Sequence, residues 1–307
     1  MLFRRLASRR FDSCRTASRS LLTLALCALP LASARAATLQ VAPAAPQPGD
    51  VLTLTIVPAT GETIQATGMS AFDTGEVKFY RRADGSARAF VGLPFDRTGG
   101  KFSVSARVQV EKGGKSSEQV LRANVNARTR AFPRQNIRMR NGNEAKMDQK
   151  SKLRAEKLHV QSKMKNSYAS PLWVGNWLVP CKGRDVSSYG VKRTVNGKPW
   201  GQHNGGDIRA SSGTPVQASN TGRVVLSEYL PDLRGNCIVI DHGCNVFSIY
   251  MHLSKRLVSE GQSVGKGQRI GLVGATGFVT GPHLHWEMRI GWEPVDPFLF
   301  ARRGLQF

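Results

Sequence analysis

The stretch Gly281-Pro-His-Leu-His-Trp-Glu-Met-Arg-Ile290 decides the fold of the C-terminal part of this chain. It opens on a Gly-Pro turn signal, and its second half, from Trp286 to Ile290, is typical of a β-strand. His283 and His285 lie two residues apart where this strand begins. Because side chains two positions apart on a strand share a face, both imidazoles are predicted to point into one site.

The sequence around this strand is also typical of β structure. From Trp173 onward, glycines are frequent and apolar runs are short. Two of these runs, Val224-Val-Leu226 and Cys237-Ile-Val-Ile240, are rich in β-branched residues and are predicted strands. We therefore expect a compact, mainly antiparallel β domain over residues 171–300, with little room for long helices.

A second histidine motif precedes this strand in the same domain. His203-Asn-Gly-Gly-Asp207 places an imidazole and a carboxylate four residues apart, and its two glycines allow the backbone to turn so that both reach one ion. Two His and one Asp, with water as a fourth ligand, form an open zinc site of the catalytic type. Each motif alone is weak evidence, because both also occur by chance or on polar surfaces. Together, in one glycine-rich β domain, they predict a metal site.

Nine short segments between Pro171 and Pro297 extend this pattern. In chain order they are Ser188-Tyr-Gly190, Asn196-Gly197, His203-Asn-Gly-Gly-Asp207, Gly213-Thr-Pro-Val216, Gly235-Asn236, Asp241-His-Gly243, Tyr250-Met-His-Leu-Ser254, Gly274-Ala-Thr-Gly277 and Thr280-Gly-Pro-His-Leu-His-Trp286. In content and order they resemble the lysostaphin-type (LytM-type) zinc endopeptidases of bacterial cell walls. The resemblance implies a LytM-type metallopeptidase domain that cleaves peptide cross-links of peptidoglycan.

The resemblance also implies a role for each of five residues. His203, Asp207 and His285 match the zinc ligands of the family. His252 and His283 match its metal-free catalytic histidines, which activate water and stabilise the transition state. The alternative that both His283 and His285 bind the metal predicts a different outcome when each is replaced.

Three positions qualify the resemblance without removing a ligand. His242 matches a turn position of the family, so we interpret it as structural. Gly206 stands where many relatives carry an aliphatic residue, which could loosen the turn before Asp207. Pro199-Trp200 places a large aromatic ahead of the first ligand and could alter subsite preference.

The first 36 residues have the order of a secretory signal peptide. An arginine-rich start is followed by the apolar run Leu21–Leu31, and Ala34-Arg-Ala36 supplies the small residues at a cleavage site. The apolar run is too short to span a bilayer, which needs about 20 residues. We therefore expect an exported protein of the periplasm, cell envelope or extracellular space. An uncleaved membrane anchor is the alternative, and a lipid anchor at Cys27 is disfavoured because Leu26 precedes it.

Residues 37–130 are predicted to form an immunoglobulin-like β-sandwich. Val51–Val57 and Phe102–Val110 alternate apolar and polar residues, and Gly-containing turns separate such runs. Residues 131–170 are a basic linker with a predicted helix between Glu144 and Lys165. We expect that helix to be solvated, the alternative being that it binds an anionic polymer, and we expect His159 on it to be a surface residue without partners.

The charge of the chain bears on its partners. The sequence carries +23, of which the first 36 residues contribute +6, so the mature chain keeps +17. Such a charge favours polyanions, and export makes anionic wall polymers more natural than nucleic acid, for which no recognition motif is present. A well-solvated surface without a specific ligand is the alternative. The oligomeric state is left open.

The cysteines indicate no metal site of their own. Cys181, Cys237 and Cys244 remain after the signal peptide, and none belongs to a CxxC pair. One disulfide among the three is possible, and the sequence does not choose the pair.

Two other functional classes are compatible with parts of the pattern. A non-enzymatic regulator that binds the wall is disfavoured, because such relatives usually lose metal ligands and all five site residues are present here. A secreted toxin that lyses other bacteria would use the same chemistry, so the sequence does not separate it from an enzyme that remodels its own wall.

Overall fold

The computed structural model describes residues 36–70, 77–138, 149–305 and 307, with the side chains of 66–70 outside the description. The predicted signal peptide, apart from its last residue, and residues 144–148 of the predicted helix lie outside these ranges. The elements in chain order are β1 (Thr38–Ala42), β2 (Val51–Val57), β3 (Glu62–Ser70), β4 (Tyr80–Arg81), β5 (Ala87–Gly92), β6 (Gly100–Lys112), β7 (Lys115–Ala127), β8 (Arg134–Ile137), α1 (Lys150–Lys163), β9 (Arg184–Ser187), β10 (Lys192–Val195), β11 (Lys198–Gln202), β12 (Gly206–Arg209), β13 (Pro215–Gln217), β14 (Gly222–Leu230), β15 (Gly235–Asp241), β16 (Val246–Arg256), β17 (Ser263–Val264), β18 (Arg269–Val273), β19 (Leu284–Ile290), β20 (Glu293–Val295) and α2 (Pro297–Arg303). The prediction of a mainly β protein is confirmed.

Strands β1 to β7 form two antiparallel sheets that enclose one apolar core. One sheet has the order β1-β2-β5-β4 and the other β3-β6-β7. As the alternation predicts, Leu52, Leu54 and Ile56 are fully buried, and they pack in one cluster with residues of β6 such as Val104 and Val108. Lettered A to G along the chain, the strands follow the orders A-B-E-D and C-F-G, which is why we propose an immunoglobulin type for this module.

The C-terminal part is built around a large antiparallel sheet of the order β17-β14-β15-β16-β19-β12-β9. Its central strands are covered on both faces, and β19 is buried along its whole length. This explains why Cys237–Ile240 of β15 form a continuous apolar run. β19 instead alternates apolar residues with His285, Glu287 and Arg289, and these three polar side chains are buried as well. Trp286, Tyr250 and Ile238 belong to the core on one face of the sheet.

Helix α1 closes the other face of this sheet. Val160 is fully buried among residues of β14, β15 and β16, and Glu156 is also buried. The expectation of a solvated helix is therefore wrong for this side of α1, because the sheet has a second apolar face that needs a cover. His159 also has a partner, since its Nε2 lies 2.8 Å from a carboxylate oxygen of Glu228.

The segment before α1 contributes a strand that the sequence did not predict. β8 pairs in parallel with β10, and β10 pairs with β11, giving a small three-stranded sheet. The local pattern of four residues, Arg134–Ile137, is too short to show this pairing.

The sequence left open whether two of the three cysteines after the signal peptide form a disulfide. Cys181, Cys237 and Cys244 are all free thiols, so the structure contains no disulfide among them. No helix among the described residues is long and apolar enough to cross a membrane.

Candidate metal centre and active site

Strand pairing brings the two histidine motifs together. β19 lies between β16 and β12, and His285 pairs with Asp207 in the antiparallel register of β12 and β19. His203 belongs to the loop between β11 and β12. Its Nε2 lies 3.0 Å from Asp207 Oδ1 and 2.9 Å from His285 Nδ1, and His285 Nδ1 lies 2.8 Å from the same Oδ1. His203, Asp207 and His285 are therefore buried with one potential ligand atom each directed at the same small volume.

The outer nitrogens of the two imidazoles have their own partners. His203 Nδ1 donates to the carbonyl of Ser188 at 2.9 Å, and His285 Nε2 donates to Glu287 Oε1 at 3.0 Å. Each hydrogen bond leaves the inward nitrogen as the atom with a free lone pair. Two nitrogen lone pairs and a carboxylate oxygen that face one another need a proton or a cation between them. Since two imidazoles and one carboxylate are ligands that zinc accepts, the residues fit a zinc ion.

The pKa values in this group show what holds the positive charge. Burial alone would raise the pKa of Asp207, but the neighbouring His203 and His285 hold it well below its usual range. Burial alone would lower the pKa of His285, but hydrogen bonds to Asp207 and Glu287 raise it to about 9. The protein alone therefore keeps a proton within the group, and a bound metal ion would replace it.

His252 and His283 lie beside the three ligand atoms. The ring centroids of the two histidines are 4.9 Å apart, and the His252 ring is 5.9 Å from that of His285. His283 Nε2 lies 3.8 Å from Asp207 Oδ1. The structure thus brings all five predicted site residues into one cleft.

Both of these histidines are held with Nε2 available. His252 Nδ1 donates to the carbonyl of Thr276 at 2.9 Å, and His283 Nδ1 donates to the carbonyl of Gly281 at 2.8 Å. Burial lowers the pKa of both imidazoles, and that of His252 falls well below the usual range. Both rings are therefore neutral near pH 7 and can accept a proton at Nε2.

His252 adopts an unusual backbone conformation within strand β16. Its φ is +63°, a region that residues other than glycine seldom occupy, and the pairing of β16 shifts register next to it. Such a conformation persists only where neighbouring contacts hold it, and it is frequent at active sites.

Two residues of the site, Glu287 and Arg193, were not predicted from the sequence. Glu287 joins His285 to Arg289, whose Nε lies 2.6 Å from Glu287 Oε2. Arg193 binds the second oxygen of Asp207 at 2.5 Å. Glu287 lies two residues after His285 on one strand, so the sequence could have predicted that the two side chains share a face. The contact of Arg193 with Asp207 depends on how two separate strands, β10 and β12, are placed.

His242 lies apart from this cleft, buried under Trp177. Its Nδ1 donates to the carbonyl of Thr221 at 2.8 Å, and its Nε2 lies 2.7 Å from the hydroxyl of Ser248. This arrangement agrees with a structural role.

The cleft has a volume of about 680 Å³ and an aromatic wall. Trp200 stacks on Phe278 with ring centroids 4.8 Å apart, and Ile137 of β8 packs against the same cluster. Gly206 lies below the site, where a β-carbon would approach the ring of Phe298 to 2.3 Å. A larger residue at this position would therefore require the ring of Phe298 to move.

Comparison with known proteins places this geometry in a family. The description Peptidase family M23 matches residues 201–297. Peptidoglycan DD-endopeptidase ShyA of Vibrio cholerae is 51% identical over 94 residues, covering 31% of this chain and 22% of that protein. Cell division protein DipM of Caulobacter vibrioides is 38% identical over 136 residues, covering 42% of this chain and 21% of that protein. The chain thus spans about a fifth of the length of these curated relatives.

A solved structure extends the likeness of fold beyond that segment. The crystal structure of a peptidase M23 from Pseudomonas aeruginosa covers 83% of this chain and 94% of its own, with a TM-score of 0.53 and 24% identity. At this identity the likeness concerns the fold alone. The sequence match and the geometry of His203, Asp207 and His285 show that residues 201–297 of this chain form a domain of peptidase family M23, the LytM-type family that its sequence motifs predicted.

Proposed function

We propose that this protein is an exported zinc metalloendopeptidase that hydrolyses peptide cross-links of peptidoglycan. The observation that carries the proposal is the convergence of His203, Asp207 and His285 beside two neutral histidines, within an M23 domain. The 51% identity to a protein named as a peptidoglycan DD-endopeptidase supports the choice of substrate.

In this proposal the buried triad holds the metal. His203 Nε2, His285 Nδ1 and Asp207 Oδ1 would be the ligand atoms, because these three atoms already lie within 3.0 Å of one another. When bound there, a zinc ion would supply Lewis acidity, which would make a water molecule a better nucleophile and would polarise a peptide carbonyl. Glu287 orients His285, and Arg193 occupies the second oxygen of Asp207, so that a single oxygen faces the ligand group.

His252 and His283 carry the proton transfers. Each has a neutral ring with Nδ1 donating to a backbone carbonyl, so Nε2 is the atom that accepts a proton from the attacking water. The imidazolium formed in this way can stabilise the oxyanion of the transition state or protonate the leaving amine. The sequence contains no HExxH motif, so no glutamate of that type is available for this work.

The substrate in this proposal is a cross-linked stem peptide with D-amino acids. We favour it over glycine bridges because glycine bridges are confined to few bacteria. The mature charge of +17 suits an anionic wall, either through the peptides themselves or through wall polymers. Export follows from the order of charged, apolar and small residues in positions 1–36.

Digestion of purified peptidoglycan tests the proposal. Mass spectrometry of the products should show shortened peptides and intact sugar chains, and a chelator should abolish their release. His159→Ala, a change on the surface of α1, is the matched histidine control and should keep full activity. Release of sugar fragments without peptide cleavage would contradict the proposal, and binding to the wall without any cleavage would favour the non-enzymatic regulator.

Recovery of the protein from cells tests export separately. N-terminal sequencing of the protein from the envelope or medium should begin at Ala37. A chain that keeps residues 1–36 and sediments with membranes would instead support an uncleaved anchor.

A further inference from the structure

Helix α1 reaches the tip of the hairpin formed by β14 and β15. Glu156 of α1 is buried, and its two carboxylate oxygens accept hydrogen bonds from three successive backbone N–H groups, those of Asp232, Leu233 and Arg234, at 3.0–3.2 Å. Arg234 Nη1 donates to the same carboxylate at 2.8 Å. One side chain from outside the M23 segment thus accepts hydrogen bonds from all three backbone N–H groups of residues 232–234 in the turn 231–234.

This turn holds the backbone of His252. The amide of His252 donates to the carbonyl of Arg234 at 2.9 Å. Arg234 is also the residue whose own amide and guanidinium donate to Glu156. Because His252 has a φ of +63°, its conformation depends on such contacts. The path from Glu156 to the histidine therefore runs through a single residue.

The same turn also places the second support of His252. The carbonyl of Thr276 accepts the hydrogen bond from His252 Nδ1, and the hydroxyl oxygen of Thr276 accepts one from the amide of Asn236. Two residues further on, the amide of Phe278 donates to the carbonyl of Leu233 at 2.9 Å. A β-carbon on Gly277 would lie 2.5 Å from the amide of Gly235, so the two segments touch backbone to backbone. A displaced turn would move both hydrogen-bonding partners of His252 together.

We propose that Glu156 is a positioning residue of the active site, which fixes the backbone and the ring orientation of His252 through the turn 231–234. Without its carboxylate, the buried amide and guanidinium of Arg234 and the partly buried amides of Asp232 and Leu233 would lose their partner. Glu156 is the residue of α1 that supports the active site, so this helix does more than connect two domains. This inference rests on the proposed function only where activity is the readout.

The test compares Glu156→Gln with Val160→Ala in the full mature chain. Val160 lies one turn further along α1 and is fully buried, and the apolar cluster to which it belongs contains no residue of the turn 231–234. Using a purified cross-linked muropeptide dimer, we expect Glu156→Gln to lower kcat about 10- to 100-fold with KM within about 2-fold and one zinc per chain retained, since small displacements of a reacting group cost this much. Val160→Ala should lower thermal stability while kcat stays within about 2-fold of wild type. Each variant is assayed at a temperature at which circular dichroism shows it folded.

A double-mutant cycle identifies His252 as the residue through which Glu156 acts. In a His252→Ala background, Glu156→Gln should cause no further loss of kcat. A full additional loss in that background, or equal kcat for Glu156→Gln and Val160→Ala, would overturn the proposal.

Amide hydrogen exchange separates this proposal from the proposed function. The amides of Asp232, Leu233, Arg234 and His252 should exchange at least 10-fold faster in Glu156→Gln than in Val160→Ala. If the wild-type protein cleaves no muropeptide, the proposed function fails, while the exchange rates still decide whether Glu156 holds the turn and His252. Unchanged exchange of the His252 amide in Glu156→Gln would refute the positioning role on its own.

Discussion

His285 pairs with Asp207 across two adjacent antiparallel strands, and its Nδ1 lies 2.8 Å from Asp207 Oδ1. His283, only two residues earlier, precedes strand β19 and forms an isolated bridge with Gly274 instead. The two histidines of this motif therefore line the same cleft, but the backbone of His285 pairs with β12 and that of His283 pairs with Gly274. This difference explains how neighbours in sequence can have separate tasks.

The first prediction separates ligands from proton carriers. His285→Ala and Asp207→Ala should lose both zinc and activity, because each removes a ligand atom. His283→Ala and His252→Ala should keep zinc, while hydrolysis falls by about 10²–10⁴-fold, the usual contribution of one acid–base group. Elemental analysis and peptidoglycan hydrolysis are measured on the same four proteins. Loss of zinc from a folded His283→Ala protein would show that both histidines of the motif are ligands.

The second prediction concerns Glu287, which accepts a hydrogen bond from His285 Nε2. Glu287→Gln should weaken zinc binding by about 10- to 100-fold, since residues that orient a ligand have effects of this size. Zinc affinity is measured by competition with a chromophoric chelator. Glu293→Gln, on the adjacent β20 strand, is the control and should stay within about 2-fold of wild type. Equal affinities for the two variants would mean that His285 does not need Glu287.

The third prediction concerns the cleft wall formed by Trp200 and Phe278, which stack with ring centroids 4.8 Å apart. Trp200→Ala should raise KM by about 3- to 10-fold with little change in kcat, because an aromatic wall that supplies neither a metal ligand nor a proton carrier contributes binding in the ground state and transition state alike. Steady-state kinetics on a muropeptide dimer provide the measurement. Tyr229→Ala removes an exposed aromatic outside the cleft and should change neither constant. A fall in kcat at unchanged KM would assign Trp200 to the transition state instead.

The fourth prediction is a dependence of stability on pH. Burial lowers the pKa of His242 from 6.5 to about 4, although its hydrogen bond to Thr221 acts in the opposite direction. Between these two values the unfolded chain binds a proton that the folded chain does not, so the free energy of unfolding decreases as the pH falls from about 6.5 to about 4. The loss amounts to about 3 kcal/mol for this group.

Urea denaturation over this pH range measures the effect, with a chelator present so that metal release does not contribute. His242→Gln should be less stable than wild type at pH 7, and the difference should shrink by about 3 kcal/mol toward pH 4. Parallel pH curves for the two proteins would show that His242 does not cause the acid sensitivity.

Much of the fold and the candidate site could be predicted from local pattern. Alternation along Val51–Val57 predicted which residues are buried, and it did so because one face of that strand meets an apolar core. His203-Asn-Gly-Gly-Asp207 indicated a metal site because imidazole and carboxylate, four residues apart on a glycine turn, can reach one ion. These inferences depend on chemistry within a few residues, which the sequence by itself determines.

The tertiary structure alone decided what depends on distant partners. Glu156 and Arg234 are 78 residues apart, and His203 and His285 are 82 residues apart. α1 is polar along most of its length, so its sequence resembles that of a solvated helix. Glu156 and Val160 are buried because α1 packs on the second apolar face of the large sheet, which the sequence of α1 does not show. A contact of this kind depends on the strands around it, since the N–H groups that Glu156 binds belong to the turn between β14 and β15.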